Sequence, residues 1–405
     1  MKKISIRIWL LAALAAYGIM ACEKDDTTDF TGYINNAVTP DEPETPSEPE
    51  EPGDSVTVAG SDTIYIVYGG TTATVTNDVH GYVSVSGADV TVNALEADTT
   101  MLLVLSGSTD DGSLLVYRKK AFTLRLNGVS ITNADGPAVN NQCGKALYLE
   151  TVEGTENTLA DGGTYADAPV NASGDVIDQK GALFSEGQIF FRGTGTLTVK
   201  GNAKNGIASD DYIVFDSGIV KVYVDDSGSN GIKVNDGLTI NGGTLTVSVK
   251  ADGARGIKND AFTTITGGTT TITTSGDCKI ETENGIRDTT SAAGIKCDSL
   301  FTMSGGTLTI KSTGDGGKGI NSGKNVEFSG GTLNVTTTGS NDIGKPKGIK
   351  SDTGIIVSGG SFTVSVKKSW ACDNGSDSDN AEDHLTILGT PTTRKVDKKS
   401  VNIQY

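Results

Sequence analysis

Lysines and carboxylates recur at fixed offsets from a repeated Gly-Ile pair, and both groups can bind ions or sugars. Lysine follows the pair directly in four places, at Lys233, Lys258, Lys296 and Lys350. Acidic residues lie on both sides of this lysine, among them Asp210, Asp211, Asp225, Asp226, Asp236, Asp252 and Asp260. Carboxylate oxygens are the ligands that Ca²⁺ prefers, whereas ammonium groups pair with carboxylates. The pattern therefore predicts either a cation site or a surface that neutralises itself.

The Gly-Ile pair marks an internal repeat. It begins at residues 206, 231, 256, 294, 319 and 348, and a Gly-Ala-Leu variant begins at residue 181. The steps between successive starts are 25, 25, 25, 38, 25 and 29. Self-similarity at a fixed period of roughly 20 to 50 residues is typical of repeat architectures. The candidate ligands are therefore expected to lie in rows along a solenoid.

Each repeat contains three short strand patterns. In residues 231–258 they are Gly-Ile-Lys, then Leu-Thr-Ile and, after a Gly-Gly pair, Thr-Leu-Thr-Val. Alternation of aliphatic residues with Thr indicates half-buried strands, and glycine permits a tight turn. Three strands in a repeat of about 25 residues describe one coil of a parallel β-helix. A leucine-rich repeat has a similar period, but its Leu/Asn signature is absent, so we predict an all-β solenoid.

Stacking of the coils determines which residues meet. Equivalent residues of neighbouring coils are expected about 4.8 Å apart. We therefore predict that the seven Asp residues named above are Ca²⁺ ligands, and that the four lysines, with Arg255 and Arg287, contact sugar carboxylates or hydroxyls. The alternative is that the lysines only neutralise the stacked carboxylates, because Asp and Asn are also favoured turn residues.

The first 54 residues predict export and anchoring. Residues 1–21 combine a positive start with an apolar run and read as a signal peptide. Cys22 follows Ile-Met-Ala, which resembles a lipoprotein processing site, so we predict lipidation at Cys22 and a membrane anchor there. The acidic run in residues 23–26 is either a surface-export signal or a solvated tether. We expect an outer-membrane lipoprotein at the cell surface.

Residues 22–54 form the predicted linker. Proline alternates with Glu in residues 40–54, a composition that cannot form a core. An extended chain of this kind spans about 3.1 Å per residue, or roughly 40 Å here. Residues 55–405 are predicted to form one β-helix domain, with end caps in the strands before the regular repeats and in residues 385–405.

Two repeats are longer than the others. Residues 277–293 lengthen the coil that starts at Gly256, and residues 341–347 lengthen the coil that starts at Gly319. Insertions in a solenoid map to loops on one face, often the binding face. The polar loop at residues 373–383 lacks the ligand spacing of an EF-hand.

Composition narrows the range of partners. The formal charge is −17, and removal of a signal with three cations and no acidic residue leaves −17 − 3 = −20. Nucleic acid is therefore not an expected partner. Binding of another polyanion would require a bridging cation or a local row of basic residues. Aromatic residues make up 6% of the chain, which argues against a platform of stacked tryptophans.

The cysteines and histidines give little support to metal or disulfide chemistry. No Cys-x-x-Cys occurs, and the two histidines, His80 and His384, are far apart in the sequence. A zinc site is therefore unsupported. Export permits disulfides, but buried unpaired cysteines in the coils are an equal expectation.

Four blocks of residues resemble a bacterial family of carbohydrate-binding β-helix proteins. They are Leu-Asn-Gly-Val-Ser-Ile at residues 126–131, Asn-Ala-Asp-Gly-Pro-Ala-Val at 133–139, Gly-Thr-Glu-Asn-Thr-Leu-Ala-Asp at 154–161, and residues 195–211. The similarity covers roughly residues 101–366. It implies a right-handed parallel β-helix similar in shape to polysaccharide lyases. It also implies binding of plant cell-wall polysaccharide, including acidic pectic chains and cellulose, with Ca²⁺.

Three functions are compatible with these observations. The first is a monomeric binding module for acidic plant polysaccharide, such as polygalacturonate, or cellulose. The second is a polysaccharide lyase, in which a Lys or Arg abstracts a proton beside a uronate carboxylate. The third is a surface adhesin for host glycans or proteins. Because every candidate base belongs to a repeating row, we predict a binding protein rather than an enzyme.

Overall fold

The computed structural model describes residues 61–283 and 286–405. The predicted signal peptide, the lipidation site Cys22 and the proline-rich linker lie outside the described residues. Within the described ranges, no helix is long and apolar enough to cross a membrane.

The described chain is built from short strands in a regular order. The strands before the first complete coil are β1 Ser61–Gly69, β2 Ala73–Thr76, β3 Val83–Ser86, β4 Asp89–Ala94, β5 Thr100–Thr109, β6 Ser113–Arg118 and β7 Phe122–Asn133. The next four coils are β8 Val139–Asn141, β9 Leu147–Thr151, β10 Glu156–Asp161; β11 Gly181–Ser185, β12 Ile189–Gly193, β13 Thr196–Gly201; β14 Asn205–Ser209, β15 Tyr212–Phe215, β16 Ile219–Val224; and β17 Ile232–Val234, β18 Gly237–Ile240, β19 Thr244–Val249.

The remaining strands continue the pattern after one interruption. They are β20 Arg255–Asn259, β21 Thr263–Ile265, β22 Thr269–Thr274; the hairpin β23 Lys279–Glu283 and β24 Ile286–Thr290; β25 Ala293–Cys297, β26 Phe301–Met303, β27 Thr307–Ser312; β28 Lys318–Ser322, β29 Val326–Phe328, β30 Thr332–Thr337; β31 Lys347–Ser351, β32 Ile355–Val357, β33 Ser361–Val366; and β34 Trp370–Asp373, β35 Thr386–Ile387, β36 Thr393–Asp397, β37 Ser400–Gln404. One 3-10 helix, Ala381–His384, lies near the end.

Three parallel sheets run along the solenoid. We call the sheet that contains β8, β11, β14, β17, β20, β25, β28, β31 and β34 the first sheet. The second sheet contains β9, β12, β15, β18, β21, β26, β29, β32 and β35, and the third contains β10, β13, β16, β19, β22, β27, β30 and β33. Near the N-terminal end the long strand β7 pairs with both β9 and β10, which joins the second and third sheets.

Register along the first sheet places the repeats directly above one another. Ile232 pairs with Ile257, which pairs with Ile295, and these side chains are fully buried. The same isoleucine row continues through Ile320 and Ile349. Because residues one repeat apart in the sequence are partners in the sheet, the predicted all-β parallel β-helix is confirmed.

The glycine of the Gly-Ile pair lies where two sheets approach each other. A Cβ atom on Gly256 would come within 2.3 Å of Ile272 Cγ2 in the third sheet, and one on Gly294 would come within 2.3 Å of Ile310 Cγ2. Gly319 faces Val335 in the same way, at 2.2 Å. Glycine recurs at this position because any side chain would overlap the opposite sheet.

The Gly-Gly pairs form the turns into the third sheet. In the pair at residues 242 and 243, Gly243 has a φ of +73°, which favours glycine. A Cβ atom on Gly242 would lie 2.4 Å from the carbonyl oxygen of Asp216 in the preceding coil. The first glycine therefore permits close stacking of coils, and the second permits the turn.

Antiparallel strands close the C-terminal end of the solenoid. Strand β37 pairs antiparallel with β33 and with β36. These antiparallel strands cover the edge of the last coil, so another parallel strand cannot pair there, as expected of a cap on an open sheet edge. At the other end, β1 pairs parallel with β5 and antiparallel with β2.

The core is apolar and holds no disulfide among the described residues. Cys143, Cys278, Cys297 and Cys372 are buried and unpaired. Burial raises the pKa of the Cys297 thiol to about 11, so this thiol stays protonated near neutral pH. The cysteines thus fill space in the coils, which was one of the two sequence-based expectations.

Candidate functional site

A groove lies on the outer face of the first sheet, beside the coil that contains the hairpin β23–β24. Its volume is about 450 Å³. Lys258 and Lys296 lie on the sheet side, Ser229 and Asp252 come from the turns that precede the strands, and the hairpin β23–β24 contributes Lys279, Glu281 and Thr290. The insertion predicted to face a ligand therefore does border the groove.

The predicted lysines form a row on this face. Lys233 pairs in register with Lys258, and Lys258 pairs with Lys296. Asn321 takes the next position, and Lys350 follows it. The Lys258 and Lys296 side chains are 30% and 27% exposed, so solvent reaches both ammonium groups.

Each lysine of the row has a carboxylate near it. Lys233 donates to Asp260, whereas Lys258 Nζ lies 3.7 Å from an Asp260 oxygen. Lys296 pairs with Asp298 and Lys350 with Asp352. Burial alone would raise the pKa of Asp260, but Lys233, Lys258 and Lys296 lower it overall. These contacts match the alternative in which lysines neutralise the carboxylates that follow them.

Arg255 occupies the position before the glycine and is only partly exposed. Its backbone N–H donates to Asn230 Oδ1 at 3.0 Å, and the buried Nε has no hydrogen-bond partner among the described residues. Burial lowers the pKa of Arg255, while the charges of Asp298 and Glu281 act in the opposite direction. The guanidinium lines the groove and retains an unused donor.

Arg287 was predicted to act with Arg255. It lies in β24, where its backbone pairs with Thr282 of β23. Its side chain lies outside the described part of the structure, so its predicted contact with sugar stays a prediction.

Two further cations on this face were missed from the sequence. Lys318 is in register with Ala293 and with Lys347, in the column of Arg255. Burial, with the charges of neighbouring cations, lowers the pKa of Lys318 to about 8. Lys347 pairs with Asp373. Both lysines precede the glycine, whereas the sequence analysis followed only lysines after Gly-Ile; alignment on the residue before the pair would have found them.

The carboxylates before the Gly-Ile strands act mainly on the backbone. Asp252 Oδ1 accepts from Asp277 N at 2.8 Å, and Asp277 Oδ1 accepts from Asp315 N at 2.7 Å. Asp315 in turn accepts from the N–H groups of Asp342, Ile343 and Gly344, at 2.8, 3.0 and 3.0 Å. This row therefore connects each coil to the next through charge-assisted hydrogen bonds.

The other predicted Ca²⁺ ligands lie at separate places. Asp225 and Asp226 are exposed in the turn after β16, and Asp225 pairs with Lys250 at 2.7 Å. Asp211 accepts from the side chain of Gln188. Asp236 is exposed beside β18.

Asp210 lies in a different setting, beside two carboxylates that the sequence analysis did not select. Asp178, Glu186 and Asp210 each place an oxygen within 4.8 Å of the others. Burial, together with the charges of Asp210 and Asp178, raises the pKa of Glu186. Lys180 pairs with Asp178 at 2.6 Å and with Asp210 at 2.5 Å, so it neutralises this cluster in part.

The most specific sequence block supports the coils rather than the groove. Asn157, in the Thr-Glu-Asn-Thr-Leu block, accepts from the N–H groups of Gly128 and Val129 at 2.9 and 3.0 Å and donates to the carbonyl of Thr196 at 3.0 Å. Asp161 ends the block fully buried and accepts from Tyr165 Oη at 3.0 Å. The block therefore marks the fold.

Comparisons with known proteins connect the chain with carbohydrate binding. A curated carbohydrate-binding domain-containing protein of Acetivibrio thermocellus is 28% identical over 150 residues, which is 36% of this chain and 50% of that protein. The chain thus matches about half the length of that relative. A solved polysaccharide lyase-like protein from C. thermocellum, a gadolinium derivative, has 24% identity and a TM-score of 0.44, and the alignment covers 69% of this chain and 99% of that one.

The match to a family is broader. The sequence model of carbohydrate-binding domain-containing proteins matches residues 86–278 and, in a second and overlapping match, residues 253–342. The two matches together span more than half of the chain. The chain belongs to the family of carbohydrate-binding domain-containing proteins.

Proposed function

We propose that this protein binds acidic polysaccharide in the groove on the first sheet and does not cleave it. The observation that carries the proposal is the basic face in an acidic chain. Lys233, Lys258, Lys296 and Lys350 form one row and Arg255, Lys318 and Lys347 another on the same sheet, although the formal charge of the chain is −17. Uronate carboxylates complement this face, and polygalacturonate is the ligand class that we favour.

The carboxylates already beside the lysines do not remove this complementarity. Asp260 is shared by Lys233 and Lys258, and the buried Nε of Arg255 has no partner among the described residues. A uronate chain would exchange or share these contacts, in the way that Lys and Arg bind carboxylates elsewhere. Exposed ion pairs contribute only about 0–1 kcal/mol, so rearranging them has a small cost.

Ca²⁺ belongs to this proposal as a bridging ion. Ca²⁺ prefers hard oxygen ligands and therefore suits a cluster of carboxylates that has too few cations. Asp178, Glu186 and Asp210 form such a cluster, in which burial and the charges of the two Asp residues raise the pKa of Glu186. We propose these three residues as a Ca²⁺ site, and we keep Asp211, Asp225, Asp226, Asp236, Asp252 and Asp260 as ligand predictions. Bound Ca²⁺ would supply positive charge for acidic chains.

We propose that this activity is located at the cell surface. Lipidation at Cys22, with residues 22–54 as a spacer, would hold the β-helix away from an outer membrane at the cell surface. Radiolabelled palmitate should enter the wild-type protein and not Cys22→Ala. Equal labelling of both proteins would contradict the anchor.

Affinity electrophoresis through gels that contain polygalacturonate tests the groove. We expect retardation of the wild-type protein that decreases when a chelator replaces Ca²⁺. Lys258→Ala/Lys296→Ala should lose about tenfold or more in affinity. The matched control is Lys200→Ala/Lys311→Ala, which makes the same charge change at exposed sites on the third sheet.

Two other results would redirect the assignment. An increase in ultraviolet absorbance from unsaturated uronate would identify a lyase if substitution of one Lys or Arg abolished it. Wild-type migration that is independent of polygalacturonate would remove the acidic-glycan proposal and favour the adhesin alternative.

A further inference from the structure

A second cavity lies beside strands β6 and β8, towards the N-terminal end of the molecule. Its volume is about 290 Å³. Leu115 of β6 and Asn140 of β8, which are neighbours in register, line it from the sheet. Residues 162–180 connect β10 to β11 and line it from the other side with Asp167 and Ile177, among others. We call this connection the strap.

The strap is attached to the sheet at both ends of the cavity. The Ala166 N–H donates to the carbonyl oxygen of Asp135 at 2.8 Å. The Asn140 amide donates to the carbonyl oxygen of Asp178 at 3.0 Å. Ile177 lies between these contacts in the fold and is only 4% exposed. The cavity is therefore formed before any ligand arrives, which reduces the entropy lost on binding.

The lining of the cavity is acidic and contains no base. Asp89, Asp135 and Asp167 line it, and Lys, Arg and His are absent from the described residues around it. Asp89 accepts from Ser113 Oγ at 2.7 Å. The Asp135 and Asp167 side chains make no hydrogen bond or ion pair with the described residues. Two carboxylates thus border the cavity without a cation to balance them.

These carboxylates are too far apart for one metal ion. Among the described residues, three acidic groups converge within 4.8 Å only at Asp178, Glu186 and Asp210, outside this cavity. A Ca²⁺ ion needs several oxygens at about 2.3–2.6 Å. Buried apolar groups of Pro137 and Ile177 also line the cavity. Negative charges separated by apolar surface match a ligand whose positive charges are separated by methylene groups.

We propose that this cavity binds a small aliphatic diamine in its diammonium form, such as cadaverine. The ammonium ends would donate to the carboxylates, and the methylene groups would cover the apolar lining. A volume of about 290 Å³ suits a small ligand. A sugar fits less well, because no aromatic ring lines the cavity. The proposal is independent of the acidic-glycan groove and of the family assignment.

The simpler explanation is that the strap only covers the outer face of the sheet. That role accounts for the burial of Ile177. It does not account for a cavity that stays open beneath the strap beside the unbalanced carboxylates of Asp135 and Asp167.

Calorimetric titration of cadaverine into the whole chain at low salt tests the proposal. Asp135→Asn/Asp167→Asn should weaken the affinity by about tenfold or more, because hydrogen bonds between charged groups are the stronger class. Both substitutions keep the size of the side chain. The matched control is Asp377→Asn/Asp379→Asn, which makes the same charge change in an exposed loop and should bind like the wild type.

Two comparisons separate this site from general attraction to an acidic protein. Pentanediol, which has the same chain length as cadaverine but no charge, should not bind. Lys258→Ala/Lys296→Ala should bind cadaverine as the wild type does, even if it no longer binds polygalacturonate.

A measurement on the wild-type protein avoids dependence on variant folding. Cadaverine should shift the methyl resonance that Ile177→Val identifies as that of Ile177, and leave the buried Ile349 methyl resonance unchanged. The proposal is overturned if the wild-type protein does not bind cadaverine, if both double Asp variants lose affinity equally, if pentanediol binds as tightly, or if the Ile177 resonance does not move.

Discussion

At the scale of single residues, position in the repeat decides whether a residue serves the fold or the ligand. The Gly-Ile glycines, Asn157 and the Asp252–Asp277–Asp315 row serve the fold, since each contacts a neighbouring coil or sheet. The lysines after Gly-Ile are partly exposed and pair with carboxylates, and we propose that they bind the ligand. Two predictions test the structural residues.

Gly256→Ala should destabilise the β-helix. Its Cβ would lie 2.3 Å from Ile272 Cγ2 and 2.6 Å from the carbonyl oxygen of Gly294, so the two sheets must separate locally. Overpacking of this kind costs about 1–3 kcal/mol. Denaturant unfolding measures the loss. Gly144→Ala is the control, because nothing lies within 4 Å of a Cβ there, and equal stability of both variants would refute the packing argument.

Asp315 should make stability depend on pH in acid. Burial opposes its ionisation, but hydrogen bonds from Ser340, Gly344, Ile343 and Asp342 lower its pKa from 3.8 to about 2. Because the pKa of Asp315 is lower in the folded state than in the unfolded state, ionised Asp315 stabilises the fold. This contribution is complete above pH 3.8 and is lost as the pH falls towards 2.

The thermal midpoint of Asp315→Asn measures that contribution. The variant should melt below the wild type at neutral pH, and the gap should narrow between about pH 4 and pH 2. A gap that is constant over this interval would show that the Asp315 charge does not contribute.

At the scale of elements, the insertion is the feature that turns a uniform solenoid face into a groove. It increases the step between two Gly-Ile pairs from 25 to 38, and β23 and β24 pair antiparallel within it. The Asp277 N–H donates to Asp252, and the Asp277 carbonyl accepts from the Gly253 N–H. The Cys278 N–H continues this stacking by donating to Asp315 O, and after the hairpin the next strand, β25, begins at Ala293.

Deletion of residues 278–290 should remove the groove and keep the fold. The joined sequence restores the regular step that separates most of the other Gly-Ile pairs. We expect a circular dichroism spectrum like that of the wild type and polygalacturonate binding reduced about tenfold or more. If the deletion variant bound polygalacturonate as tightly as the wild type, the hairpin would not contribute to binding, and the lysine row alone would account for it.

Much of the architecture could be predicted because it repeats. The three strands and the glycine turns recur, with a step of 25 residues in four of the six intervals, so β17, β18 and β19 agree with the strand patterns in residues 231–258. Asp210 was predicted as a ligand, but its neighbours Asp178 and Glu186 were missed. The three residues have no common spacing, because the cluster joins a loop to two different coils.

At the scale of the whole molecule, charge and aromatic surface lie on different sheets. Basic residues concentrate on the first sheet, whereas the paired rings of Tyr148 and Phe190 lie on the second. A solenoid keeps such faces apart along its length because each coil contributes one strand to each sheet.

Ionic strength should control binding in the groove on the first sheet. The Debye length falls from about 30 Å at 0.01 M salt to about 3 Å at 1 M. Affinity for polygalacturonate should therefore fall steeply over this range. Titration of polygalacturonate into the wild-type protein at several salt concentrations measures the change, and an affinity that does not depend on salt would contradict binding through the lysine row.

The crystal structure of the protein with a bound oligogalacturonate, grown with Ca²⁺, would show directly whether the groove binds acidic glycan. We expect uronate carboxylates within hydrogen-bonding distance of Lys258 and Lys296, between the hairpin β23–β24 and the turn that contains Asp252. Oligogalacturonate bound on the second or third sheet, with the groove free of sugar, would contradict it.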